Sequence, residues 1–93
     1  MNENLGYDEK EIKNIITQFI LNNFVFNGQN KSIDENLSLY EKGIIDSTGV
    51  LELVDFLEEK FEIKIEDEEL IPDNLDSINK ISKFIQRKID NAG

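Results

Sequence analysis

Apolar residues return at three- and four-residue intervals in three separate stretches of this chain, a period that helices burying one face satisfy and extended strands do not. The first stretch holds Ile12, Ile15, Ile16, Phe19, Ile20 and Phe24, the second Val50, Leu53, Val54, Leu57 and Phe61, and the third Ile78, Ile81, Phe84, Ile85 and Ile89. Local signals bound each one. Asp8 and Glu11 form a capping-box variant with Tyr7 placed to staple onto Ile12, and the helix so opened is predicted to run to about Phe26 and to end at Gly28. The second helix is predicted over Ser47 to Phe61. Asp76-Ser77 caps the last, whose Lys80, Lys83, Arg87 and Lys88 lie off the apolar side, the later ones placed to suit the helix dipole. Ile63-Lys64-Ile65 alternates as a short extended link, and Glu66 to Leu70 is read as a short, irregular third helix stopped before Pro72. The connection from Asn27 to Asp46 is polar but interrupted by Ile33, Leu37, Leu39, Ile44 and Ile45, so it is expected to pack onto the helices. The predicted architecture is all-α: a small antiparallel four-helix bundle of three main helices and a short third one, with a long loop between the first and second. Residues 1–93 form one domain, with flexible ends expected at 1–7 and 91–93.

The residue inventory narrows the chemistry. Ninety-three residues suffice for one modest core. With no Cys, His or Trp, the chain offers no thiol nucleophile, no Ser-His or Cys-His arrangement, no imidazole or thiolate zinc site and no disulfide. No paired carboxylates stand out as a general acid and base, so no catalytic residue is assigned. Twenty acidic residues against ten basic ones give a formal charge of −10, which repels phosphate backbones and anionic lipid, so neither nucleic acid nor a membrane is an expected partner. Met1-Asn2-Glu3-Asn4 has neither a positive n-region nor an apolar h-region, and the cytoplasm is the expected compartment. Asp34, Asn36 and Ser38 have the one-three-five spacing of a calcium loop, but Leu39 replaces the needed Gly and Ile45 the needed Glu, so no metal site is assigned.

The second helix carries the functional signal. Ser47 lies where the loop containing Gly43 meets the helix, so a group attached to it would project into solvent. At 100° per residue Thr48, Glu52, Asp55, Glu59 and Glu62 gather opposite the core side, with Leu51 and Glu58 along one border. From Asp46 to Glu69 there are ten acids against Lys60 and Lys64, a concentration that would steer basic patches of other proteins toward Ser47. Leu51 either adds an apolar contact there or packs under the 27–46 loop. A serine at a helix start is often only a cap, and Asp46 is equally able to be one. Asp76-Ser77 is the internal comparison: the helix that follows has no acidic face, and Ser77 is read as a cap.

These residues resemble the acyl carrier protein superfamily, whose mark is an Asp-Ser pair that follows a Gly-containing loop and opens an acid-rich helix. The resemblance covers roughly Leu37 to Ile89 and rests on Asp46-Ser47, the phase of Leu53, Val54 and Leu57, Glu58-Glu59 and Phe61. It implies that Ser47 is the attachment site of 4′-phosphopantetheine, delivered from coenzyme A by a phosphopantetheinyl transferase, with Asp46 as a flanking recognition residue. The arm would hold acyl or aminoacyl groups as thioesters, as in fatty acid, polyketide and nonribosomal peptide synthesis, and supply the thiol that the chain lacks. Thr48, Leu51, Glu52, Asp55, Glu58 and Glu59 would form the face presented to partner enzymes.

Three positions depart from the fatty-acid type of carrier. Thr48 stands where Leu is usual, Gly49 where an acid is common, and Asp55 where the residue is typically apolar. The run from Ile44 to Leu53 looks more like stand-alone carriers loaded by adenylate-forming ligases that activate acyl or aminoacyl groups. Such a chain is expected to act as a discrete monomer, passing its cargo to acyl-transferring enzymes. The competing reading is an acidic helical adaptor that binds a basic protein and carries no prosthetic group.

Overall fold

The structure, a computed structural model, describes residues 7–24 and 33–92, omitting the side chain of residue 92. Helix α1 (Glu9–Phe24) opens with the predicted capping box: the Glu11 amide donates to Asp8 Oδ1 at 2.8 Å and the Asp8 amide to Glu11 Oε1 at 3.3 Å. Ile12, Ile16 and Ile20 are wholly buried, and Ile15, Phe19 and Phe24 flank them half-buried. Tyr7 packs against the core that includes Ile12 and meets Phe61 edge to face, centroids 5.0 Å apart. The predicted extension to Phe26 and stop at Gly28 lie outside the described residues.

Helix α2 (Ser47–Phe61) has the predicted bounds, with Val50, Leu53, Val54, Leu57 and Phe61 buried. It ends at Glu62, a non-glycine residue in the left-handed region (φ 56°), whose amide bonds to the Glu58 carbonyl. Beyond the link, the short, irregular helix expected before Pro72 is present, and one further turn follows it. A short 3₁₀ turn occupies Asp67–Glu69, and Pro72, read above as a stop, is the first residue of a new one-turn helix, α3 (Pro72–Leu75). At that position the missing proline N–H is one that no helix would have used, and the fixed φ suits the helix.

Helix α4 (Ile78–Ala92) buries Ile78, Ile81, Phe84 and Ile85, with Ile89 half-buried against the same core. Its basic residues do not cap its C-terminus: Arg87 donates to Asn74 Oδ1 at 3.0 Å and Lys88 pairs with Glu69 at 2.9 Å, fastening the segment after α2 to its flank.

Helix α4 is the element against which α1, α2 and α3 all pack. Aromatic rings join α1 to α2, with Phe19 stacked on Phe56 at 4.1 Å. The connection packs as expected over 33–46, where Leu39 and Ile45 are buried and Ile33 and Ile44 half-buried. The result is the all-helical four-helix arrangement read from the sequence. Among the described residues no helix is long and apolar enough to cross a membrane, and no cluster of acids is arranged around a metal. Asp34 is turned to another use, accepting the Asn36 amide at 2.8 Å.

Candidate functional site

The chain enters α2 through a tight reversal around one carbonyl. Leu39 C=O accepts the amides of both Ile44 (2.9 Å) and Ile45 (3.2 Å), while the Gly43 amide donates to the Tyr40 carbonyl. Gly43 makes the reversal with φ +69°; a Cβ there would meet nothing within 4 Å, so the backbone angle rather than space favours glycine. Ile45 then turns into the core, 2% exposed, which aims Asp46 and Ser47 outward.

Asp46 is extended (φ −114°, ψ −173°) and its Oδ1 accepts the Gly49 amide at 2.7 Å, so Asp46 is the helix cap and Ser47 the first helical residue. Ser47 is exposed, and its hydroxyl bonds to no described residue. The second Asp-Ser pair divides its labour the other way. Ser77 is 4% exposed and caps α4 by accepting the Lys80 amide at 3.1 Å, as read from the sequence. Asp76 Oδ2 accepts the Ser38 hydroxyl at 2.7 Å and Oδ1 the Tyr40 amide at 3.0 Å. Where α4 starts, the serine serves the fold; where α2 starts, the aspartate does, and the serine is left over.

Gly49 owes its identity to packing. A Cβ there would lie 3.0 Å from Phe24 Cε1 and 3.3 Å from Asp46 Oδ1, so the ring and the cap would have to give by a few tenths of an ångström. The absence of a side chain at Gly49 thus lets Phe24 approach the start of α2 while Asp46 reaches its amide.

Around Ser47 the surface is acidic and, at one point, apolar. Thr48, Glu52, Asp55 and Glu59 are exposed, and Leu51, 56% exposed, is not buried beneath the described part of the loop, 33–46. Glu58 differs from the rest of the expected face: it is half-buried, and its carboxylate accepts the Ile65 amide at 2.8 Å, binding the chain after α2 back onto the helix. Tyr40 stands beside the site at 40% exposure, its hydroxyl pKa raised above 10.0 by partial burial first and then by the charges of Asp76 and Asp46. Tyr40, the bonds of Asp76 to residues 38–40 and the Gly49–Phe24 contact escaped the sequence reading, since no periodicity or motif marks them.

Chemically, the site is a solvent-facing primary alcohol at a helix N-terminus. The chain has no histidine to pair with it, and the neighbouring Asp46 Oδ1 is engaged by the Gly49 amide.

No protein-family model matches the chain. It is 30% identical over 80 residues to a probable acyl carrier protein, PigG, of Serratia sp. (strain ATCC 39006), a match covering 86% of this chain and 85% of that protein. Because the identity extends through nearly the whole of both proteins rather than the serine segment alone, this chain belongs to the acyl carrier protein family.

Proposed function

We propose that the chain carries acyl or aminoacyl groups on a 4′-phosphopantetheine arm joined to the Ser47 hydroxyl through a phosphodiester. The observation that carries the reading is the division of labour at the start of α2: Asp46 has taken the cap, so the exposed Ser47 oxygen is spare. The residues present fit the group. Among the described residues nothing pairs with the amides of Ser47 and Thr48, and these first-turn donors, with the positive end of the helix dipole, favour a phosphate at that position. When bound, the arm would supply a thiol, and hence thioester chemistry, to a chain with no cysteine. The chain's own contribution is to hold the attachment oxygen in solvent and surround it with negative charge.

Thr48, Leu51, Glu52, Asp55 and Glu59 are the surface on which we place partner recognition, by a phosphopantetheinyl transferase, an adenylate-forming ligase and acyl-transferring enzymes in turn. The polar Thr48 and Asp55 on that exposed face favour partners that read charge over partners that read an apolar patch. Glu58, held by Ile65, contributes to the shape of the face more than to its contacts.

The test is intact-protein mass spectrometry before and after incubation with a broad-specificity phosphopantetheinyl transferase and coenzyme A. One phosphopantetheinyl increment, located on Ser47 by fragmentation and absent from Ser47→Ala, is the expected result. An increment on Ser47→Ala would misplace the site. A well-folded wild-type chain that stays unmodified would leave the adaptor reading standing.

A further inference from the structure

Ser47 opens α2 directly after a loop whose course is determined far away in sequence. Asp76 makes three bonds to that loop: Oδ2 with the Ser38 hydroxyl (2.7 Å), Oδ1 with the Tyr40 amide (3.0 Å) and its own carbonyl with the Leu39 amide (2.7 Å). Ser38 Oγ in turn accepts the Glu41 amide at 3.2 Å. These bonds immobilise Leu39, and the Leu39 carbonyl is the single acceptor around which Ile44 and Ile45 fold before Asp46 and Ser47 emerge. Asp76 itself is held between α3 and α4, its amide bonded to the Pro72 carbonyl at 3.0 Å and the Ser77 cap next to it.

We infer that Asp76 is a positioning residue for modification of Ser47, transmitting the fixed start of α4 through residues 38–40 to the serine that a transferase must reach. Its carboxylate acts as a bidentate acceptor rather than as a charge, because both oxygens are engaged by donors of the loop. The inference rests on Ser47 being the modified residue. Displacing a reacting atom by a fraction of its approach distance lowers the rate of transfer without altering the recognition face. Loss of the brace should therefore appear in kcat and leave the KM for this chain in place, since Glu52, Asp55 and Glu59 lie on α2, outside the bonded loop.

The experiment compares wild type, Asp76→Ala, Asp76→Asn and Ser38→Ala in phosphopantetheinyl transfer kinetics, with amide hydrogen exchange read at Tyr40, Ile44 and Ile45. Asp76→Ala is expected to lower kcat about tenfold, with KM within about twofold, and to speed exchange at those three amides about tenfold, while the core amides of α2 and α4 stay protected. Asp76→Asn keeps an acceptor for Tyr40 and a polar partner for Ser38, so it should restore kcat to within about threefold of wild type. Ser38→Ala removes one of the three bonds and is expected to fall between, which keeps the test open if Asp76→Ala fails to fold. Unchanged kcat in Asp76→Ala and Ser38→Ala, or an Asp76→Asn defect as large as that of Asp76→Ala, would overturn the positioning role. A wild-type chain that takes no increment at all would instead remove the carrier reading, and this inference with it.

Discussion

Replacing Asp46 separates the cap that it forms from the recognition role proposed for it. Its Oδ1 bond to the Gly49 amide is short, 2.7 Å, and charge-assisted, and no other described side chain caps α2. Truncating such a cap to alanine costs about 1 kcal/mol, and removing a carboxylate from a helix N-terminus costs about 0.5 kcal/mol more. Asp46→Ala should thus lose about 1.5 kcal/mol, and in a domain of this size each kcal/mol lowers the melting temperature by roughly 4–8 °C. Asp46→Asn retains the acceptor and loses only the charge, so its cost should stay near 0.5 kcal/mol. Thermal unfolding followed by far-UV circular dichroism measures both. The same two proteins, tested as transferase substrates, show whether recognition needs the charge or only the cap: a stable Asp46→Asn that is modified slowly assigns the charge to recognition. The reasoning on stability is refuted if Asp46→Ala melts within about 1 °C of wild type, or if Asp46→Asn loses as much as Asp46→Ala.

Three further perturbations test separate parts of the account. Glu62→Gly relieves a left-handed residue at the end of α2, and with a strain of about 1–2 kcal/mol against the extra backbone entropy of glycine it should stabilise by up to about 1 kcal/mol in urea unfolding. Ser82 in α4 is wholly buried and its hydroxyl has no partner, so Ser82→Ala should be neutral or stabilising by about 1 kcal/mol; a loss above that size would reveal a bond that the structure lacks. Glu69 is held below its ordinary value of 4.5, first by the Glu66 amide and then by Lys88. A depressed carboxyl stabilises the fold above pH 4.5 and loses that contribution as pH falls through the lowered value. The stability gap between wild type and Lys88→Met, about 0.5 kcal/mol at pH 7, should therefore close below pH 4.5 in urea unfolding measured across that range.

Much of this molecule was legible in the order of its residues, and the reasons are local. Helix α2 has its predicted bounds because two independent signals, the 100° phase of Val50, Leu53, Val54, Leu57 and Phe61 and the Asp-Ser pair before them, mark the same start. The capping box of α1 was equally readable, since both of its bonds join residues three apart. The 72–75 turn was missed because Pro72 carries two opposite local meanings, the end of one helix and the first residue of another. Burial of Leu75 and the ties from Arg87 and Lys88 make it the second.

At the site, the sequence by itself determined that a serine would stand where an acidic helix begins. It marked Ser77 as a cap but did not determine which member of the Asp46-Ser47 pair would cap, because both residue types accept the same first-turn amide. Tertiary structure decided it. Asp76 turns away from its own helix to receive Ser38 and Tyr40, residues 38 and 36 positions earlier, and so leaves capping to Ser77. Asp46 has no such distant claim and takes the cap itself, which leaves Ser47 in solvent. The physical reason is competition for a limited set of acceptors: a carboxylate goes to the donors that the assembled fold brings to it, and those donors come from parts of the chain that no short-range pattern connects.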